Sequence, residues 1–305
     1  MNSKKILSLI AVPALLTISM VFGYVAILED WNLLLCSFII LFFSFASIYF
    51  LERIIPLNES WRIHKGTILT EVLHFSISIG FFDAIGKTVA LWFVLLIQNN
   101  FFEVSPTWNL LPFWLIFIIA NIVGEFLPYL YHRISHKGNT NSFFSLFLWQ
   151  VHSIHHISEQ LNWFKTNWMH PLNMLLNTFL KIAPLLLLGF SESIIFLVGI
   201  FHIMVAYLSH SNILVKTGFL DYIIVTPKIH HFHHSKKMDE AKNYGNIIPF
   251  WDLVFGTFYN RNGYVEKVGV NKAFYKYPEE TNYIKQVVFP FKGYKYCCNK
   301  TISKN

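Results

Sequence analysis

The sequence predicts an all-α, multi-pass membrane helix bundle of about four to six spans, capped on its cytoplasmic side by a histidine-rich layer. Three observations predict it. Only 13% of the 305 residues are charged, against about 25% in globular domains. Hydrophobic residues make up 54% and aromatics 18%, gathered in runs long enough to cross a bilayer, which takes about 20 helical residues. Eight of the fourteen histidines fall into three tight clusters: His132 and His136 as HxxxH, His152, His155 and His156 as HxxHH, and His230, His233 and His234 as a second HxxHH.

The first apolar run, residues 6–27, follows Lys4 and Lys5. It is too long for a signal-peptide core and lacks a small-residue cleavage site, so a retained helix is expected. Runs 33–51, 72–97 and 110–131 follow. Asp83 and Lys87 lie four residues apart inside the third, a spacing that lets them pair on one helical face where isolated charges would be costly. A tighter pair, 172–190 and 193–208, turns at 191–193. From about residue 212 the chain is more polar and lysine-bearing, yet carries Trp251, Phe255 and Phe258, which predicts a cap packed on the bundle. Three regions are therefore expected: membrane helices over 1–109, a region over 110–260 that carries the histidine clusters, and a cytoplasmic tail over 261–305.

Lysines and arginines collect on the cytoplasmic side of membrane proteins, which accounts for the net charge of +7. No nucleic-acid-binding motif accompanies that charge, so no nucleic-acid partner is expected. Lys4, Lys5, Arg53, Arg62 and Lys65 would lie inside, with Glu29, Asp30 and Glu103 outside. Counting spans from there brings all three histidine clusters to the cytoplasmic face. Of the three cysteines, Cys36 lies in an apolar run and the adjacent Cys297 and Cys298 are poorly placed to pair, so no disulfide framework is legible.

The spacings are metal-binding spacings. Residues i, i+3 and i+4 share a helical face, so HxxxH aims two imidazoles at one point and HxxHH aims its first and third together. Neutral imidazole binds zinc, copper, iron and nickel. Eight ligands exceed what one tetrahedral zinc takes, and eight to ten supply two metals. HExxH, CxxC and GxSxG are all absent, which removes the zinc-peptidase, zinc-finger and serine-hydrolase arrangements. A redox-active metal pair with neutral ligands suits oxygen activation better than hydrolysis. A lone histidine on an apolar face is usually a hydrogen-bonded core residue, the expectation for His64, His74 and His202. His170 and His210 lie at the depth of the clusters and join the ligand candidates, whereas His231 is spare in its cluster.

The order HxxxH, HxxHH, HxxHH resembles the fatty acid hydroxylase and sterol desaturase superfamily of membrane oxygenases. Tyr129, His132 and Arg133 are similar to its Y-x-x-H-R, and His152–His156 is followed by Asn162 and Trp163. His170–Pro171, His210 with Asn212, PKIHHFHH ending at His234, Asn243–Tyr244–Gly245, and Trp251–Asp252 with Phe255–Gly256–Thr257 continue the likeness in order. Trp168 stands where the family often has arginine, and Asn173 where it often has glutamate. The resemblance implies two iron ions, with zinc as a substitute in purified protein, that activate O2 to hydroxylate or desaturate a lipid C–H bond. It also implies an external electron donor: cytochrome b5-like, ferredoxin or reduced pterin. The metal ligands it implies are His132, His136, His152, His155, His156, His170, His210, His230, His233 and His234. Asp252, Asp239, Glu125 and Asn243 are candidates to orient them. Two alternatives remain open: a pterin-dependent alkylglycerol monooxygenase-like enzyme, and a non-catalytic metal-binding membrane protein. Chain length and the lack of a retrieval signal favour a bacterial inner membrane.

Overall fold

Helices α1 (Ser3–Leu28) and α2 (Leu33–Ile54) form an antiparallel pair whose turn is closed by the Asn32 side chain, which accepts from Leu35 N. The computed structural model describes residues 3–62, 65–101, 107–138, 142–272 and 276–292, so His64, Glu103, Cys297 and Cys298 lie outside it. Helix α3 (Ile68–His74) runs through a π-helical stretch, Phe75–Phe82, into α4 (Asp83–Asn100). The result is one 33-residue helix, longer at both ends than the expected 72–97. Asp83 and Lys87 do pair, at 2.6 Å, and Asp83 also accepts from Thr178 Oγ1 at 2.7 Å.

Next come α5 (Phe113–Ser135), α6 (Phe143–His156), α7 (Pro171–Leu187) and α8 (Glu192–His210). The cap follows with α9 (Pro227–His233), α10 (Phe250–Val254) and α11 (Tyr283–Val288). Five helices are long and apolar enough to cross a membrane: Ser3–Leu28, Leu33–Ile54, Ile68–Asn100, Phe113–Ser135 and Glu192–His210. Helix α7 has 17 residues, about 26 Å of rise against a hydrocarbon core of about 30 Å. It stops short because Gly189, at φ 71°, turns the chain into the Ser191 cap of α8. Only isolated bridges, and no strands, occur among the described residues.

Helix α8 is the centre of the bundle. Ala11, Val12 and Leu15 of α1 and Ile48 and Leu51 of α2 pack with Met204, Val205 and Leu208 of α8. The same cluster continues through Val225, Ile229 and Ile247, so the cap and the spans share one core. Helices α4 and α7 pack through Ala90, Val94 and Ala183. Their close approach needs Gly86, where a Cβ would lie 3.0 Å from the Leu175 carbonyl oxygen. A further cluster of Ile154, Ile157, Trp168, Val270 and Phe289 seats the C-terminal segment on α6.

Candidate metal centre

Four helices end at one place. His132 lies in the last turn of α5 with His136 as its cap, His155 and His156 close α6, His210 is the last residue of α8, and His233 and His234 close α9. Helix C-termini carry the negative end of the backbone dipole and favour cations. The sequence therefore gathers both donors and a favourable potential at the same point.

The imidazoles form two groups. His132, His136, His152, His156 and His233 make one, and His155, His210, His230 and His234 the other; within each, the ligand nitrogens all lie within 4.8 Å of one another. The i, i+4 pairs His132/His136, His152/His156 and His230/His234 each stay together. The remaining member of each HxxHH crosses over: His155 joins the group of His230, and His233 joins that of His152. The dipeptides His155–His156 and His233–His234 are thus each split between the groups, while His231, beside His230, joins neither.

Hydrogen bonds on the outer ring edges fix which nitrogens face inward. Nδ1–H of His132 donates to the Tyr244 carbonyl at 2.7 Å, that of His233 to Lys242 at 2.8 Å, that of His155 to Trp168 at 3.0 Å, and that of His210 to Ala206 at 3.1 Å. A carbonyl can only accept, so in each ring the proton is on Nδ1 and Nε2 presents a lone pair. His155 Nε2 and His210 Nε2 then face each other at 2.9 Å with no proton between them. His152 Nε2 lies 3.1 Å from His136 Nε2 and 3.0 Å from His156 Nε2, and His230 Nε2 lies 2.9 Å from His210 Nε2. Nε2 of His132 and of His233 are buried without a partner. Converging lone pairs repel unless a cation lies among them. Separations of this size are also the edges of an octahedral set at a metal–nitrogen distance of about 2.1 Å, so the residues fit metal ions. Burial pulls the pKa of His155 down to about 4 and those of His156, His233 and His234 well below the usual value, with neighbouring imidazoles adding to the effect for the last three. Neutral imidazole is the form that ligates.

The loop from Lys242 to Gly245 presents two of those carbonyls. Asn243 adopts φ 61° and its amide donates to the Ile229 and Tyr259 carbonyls. A Cβ on Gly245 would lie 2.4 Å from the Ile248 carbonyl oxygen, so only glycine fits. Asp252 accepts from Tyr244 N at 2.8 Å and Gly245 N at 2.7 Å. Thr257 Oγ1 also donates to Asp252, Tyr129 to Thr257, and Arg133 to Tyr129. Asp252 and Asn243 therefore shape the loop and touch no imidazole. Glu125 accepts from Asn246 N and Ile247 N and pairs with Lys181 at 3.3 Å. Asp239 is exposed and takes no part.

His170 departs from the expectation. Its Nδ1 caps α7 by accepting from Leu172 N at 3.1 Å, and its Nε2–H donates to the Val287 carbonyl at 2.9 Å, leaving no lone pair for a metal. His231 packs edge-on against Trp61, outside both groups. His74 bonds the Met169 carbonyl and Gln286, and His202 bonds Asn121 and Lys181. Sequence reasoning missed the orienting carbonyls of Trp168, Lys242 and Ala206, which carry no side-chain signal. It also missed Glu52, which accepts from Trp163 N and Asn212 N and ties the loops beside the site together; a lone carboxylate ending an apolar run was its only trace.

Residues 117–257, which hold this whole constellation, match the fatty acid hydroxylase family model. That stretch of the chain is a fatty acid hydroxylase domain. An ornithine lipid hydroxylase of Rhizobium tropici is 29% identical over 253 residues, covering 81% of this chain and 74% of that protein. An alkylglycerol monooxygenase of Danio rerio is 28% identical over 56% of this chain and 36% of its own, and methylsterol monooxygenase 1 of Rattus norvegicus is 25% identical over 56% and 57%. The chain thus spans about a third of that alkylglycerol monooxygenase and over half of the methylsterol enzyme. No solved structure matches it.

Proposed function

We propose that this chain is a membrane lipid oxygenase of the fatty acid hydroxylase and sterol desaturase superfamily. In this reading its two histidine groups hold two iron ions that use O2 and external electrons to hydroxylate a lipid C–H bond. The observation that carries the reading is the gathering of five and four imidazoles, with the facing lone pairs of His155 and His210 among them. The ligands would be His132, His136, His152, His156 and His233 on one ion and His155, His210, His230 and His234 on the other. Bound there, the metals would supply the dioxygen chemistry that no side chain can.

The chain's own contribution is placement. The carbonyls of Tyr244, Lys242, Trp168 and Ala206 hold the Nδ1 protons outward and keep each ring aimed. Burial of the ligands excludes water, which protects a reactive centre from side reactions. The centre lies at the ends of the apolar spans α5 and α8, within reach of a lipid in the adjoining leaflet. Lys4, Lys5, Arg53, Arg62 and Lys65 favour a cytoplasmic orientation, where a soluble or peripheral donor can deliver electrons.

The named activities of the relatives, on ornithine lipids, alkylglycerols and methylsterols, all concern lipids and support that substrate class. The ornithine lipid hydroxylase aligns over more of this chain than the alkylglycerol enzymes do, so the alkylglycerol monooxygenase-like reading is not favoured. A metal carrier would need ligands spread along a path through the bilayer, whereas these nine converge. Comparative lipid mass spectrometry of cells with and without the gene tests the proposal. A lipid gaining one oxygen only when the intact gene is present is expected, and unchanged lipid profiles would sink it.

A further inference from the structure

We propose that Asn173 is a positioning residue for the five-histidine group: together with Tyr131 it sets the tautomer and aim of His152. The proposal rests on the metal reading above. Four ligands have backbone carbonyls on their Nδ1 edges, whereas the acceptor beside His152 Nδ1 is a side chain, Asn173 Oδ1, at 3.2 Å. The same oxygen accepts from the Tyr131 hydroxyl at 2.8 Å, and the Asn173 amide nitrogen points to Met169 Sδ at 3.4 Å. The Tyr131 hydroxyl on the oxygen and Met169 Sδ on the nitrogen fix which way the amide faces, whatever the imidazole does.

The orientation matters for the ring. With the amide reversed, its NH2 would face His152 Nδ1, which would have to accept. The imidazole proton would then move to Nε2, into the space shared with His136 Nε2 and His156 Nε2 at 3.1 and 3.0 Å. A proton there blocks a cation. Asn173 is 4% exposed and lies in the first turn of α7, whose start is pinned by His170 through Leu172 N and the Val287 carbonyl. His170 thus serves the centre at one remove. An amide acceptor also leaves His152 a plain neutral ligand, whereas a carboxylate would raise its basicity. The five-histidine group therefore has an electronic setting that side-chain substitution can change.

Cobalt(II) titration of the purified full-length chain, in competition with a chromophoric chelator, tests this. The unsubstituted protein should take up two ions. Asn173→Leu should weaken one of them by about 10–100-fold, the usual cost of losing an orienting partner, and leave the other unchanged. Asn173→Asp should keep both ions with a shifted cobalt absorption band. Thr178→Val, which removes a hydrogen bond of α7 to Asp83 without touching the site, should change neither affinity nor spectrum. Unaltered affinities and bands in Asn173→Leu would overturn the proposal. Should that chain not fold, an unshifted band in Asn173→Asp would do so instead. Failure of the unsubstituted protein to bind cobalt would remove the metal reading itself, and this proposal with it.

Discussion

His155 and His233 each have one nitrogen committed to a carbonyl and the other to the centre. Replacing either with alanine is expected to abolish lipid oxidation and reduce bound metal while the protein still inserts; product formation and metal content in washed membranes check both. Gly245→Ala is expected to cost about 1–3 kcal/mol by overpacking, because the Ile248 carbonyl occupies the space a Cβ needs. It should also weaken metal binding, since the displaced loop carries the carbonyl that holds His132. A melt in detergent with and without added metal measures both effects. At this scale the sequence was informative about ligands and poor about what aims them. The i, i+4 spacing paired His132 with His136, His152 with His156 and His230 with His234 from geometry alone. His170 misled because its place before Pro171 fits a cap as well as a ligand, and only the Val287 carbonyl, more than a hundred residues on, decides between them.

Between elements, the polar contacts of α7 stand out. Asn173, Asn177 and Lys181 recur at four-residue intervals and meet Tyr131, Asn246 and Glu125. The Lys181–Glu125 pair is largely buried, with the Glu125 side chain wholly so. Removing one partner of such a pair costs about 3–5 kcal/mol, while removing both costs less. Lys181→Met is therefore expected to lower the melting temperature more than Lys181→Met combined with Glu125→Gln; equal losses would mean that the two charges do not act as a pair. Hydropathy located the long spans, since burying a wholly apolar helix leaves a continuous run in the sequence. It extended α7 three residues too far and split the Ile68–Asn100 helix from its first turn, because polar Thr70 and Glu71 lie inside that turn. Glu71 is offset there by Lys165 at 2.8 Å, a partner that sequence distance hides.

For the whole molecule, nine clustered imidazoles, eight of them buried, make stability depend on acid. The folded chain holds His155 down to about 4, while an unfolded chain takes up that proton near about 6.5. Between those values the unfolded state binds more protons, so stability is full above pH about 6.5 and falls as pH drops toward about 4. Metal competes with protons for the same lone pairs. Chelation at neutral pH should therefore lower the melting temperature, and the metal-loaded protein should lose stability at a lower pH than the stripped one. Melting curves across pH, with and without chelator, test both; identical acid profiles would mean that the histidines hold no metal. The sequence led us to expect two passages between the second and third clusters; the structure has one full-length apolar helix there, α8, beside the shorter α7, and brings the clusters together all the same.

The split of His155–His156 and His233–His234 between the two groups has a mechanical consequence. Adjacent residues cannot separate by more than one peptide unit, and two such links would bracket the interval between two ions held in the groups. Whether spans tilt or a lipid wedges between helices, the gauge of a metal pair bound there would be tied to covalent geometry and not to how tightly the bundle is closed.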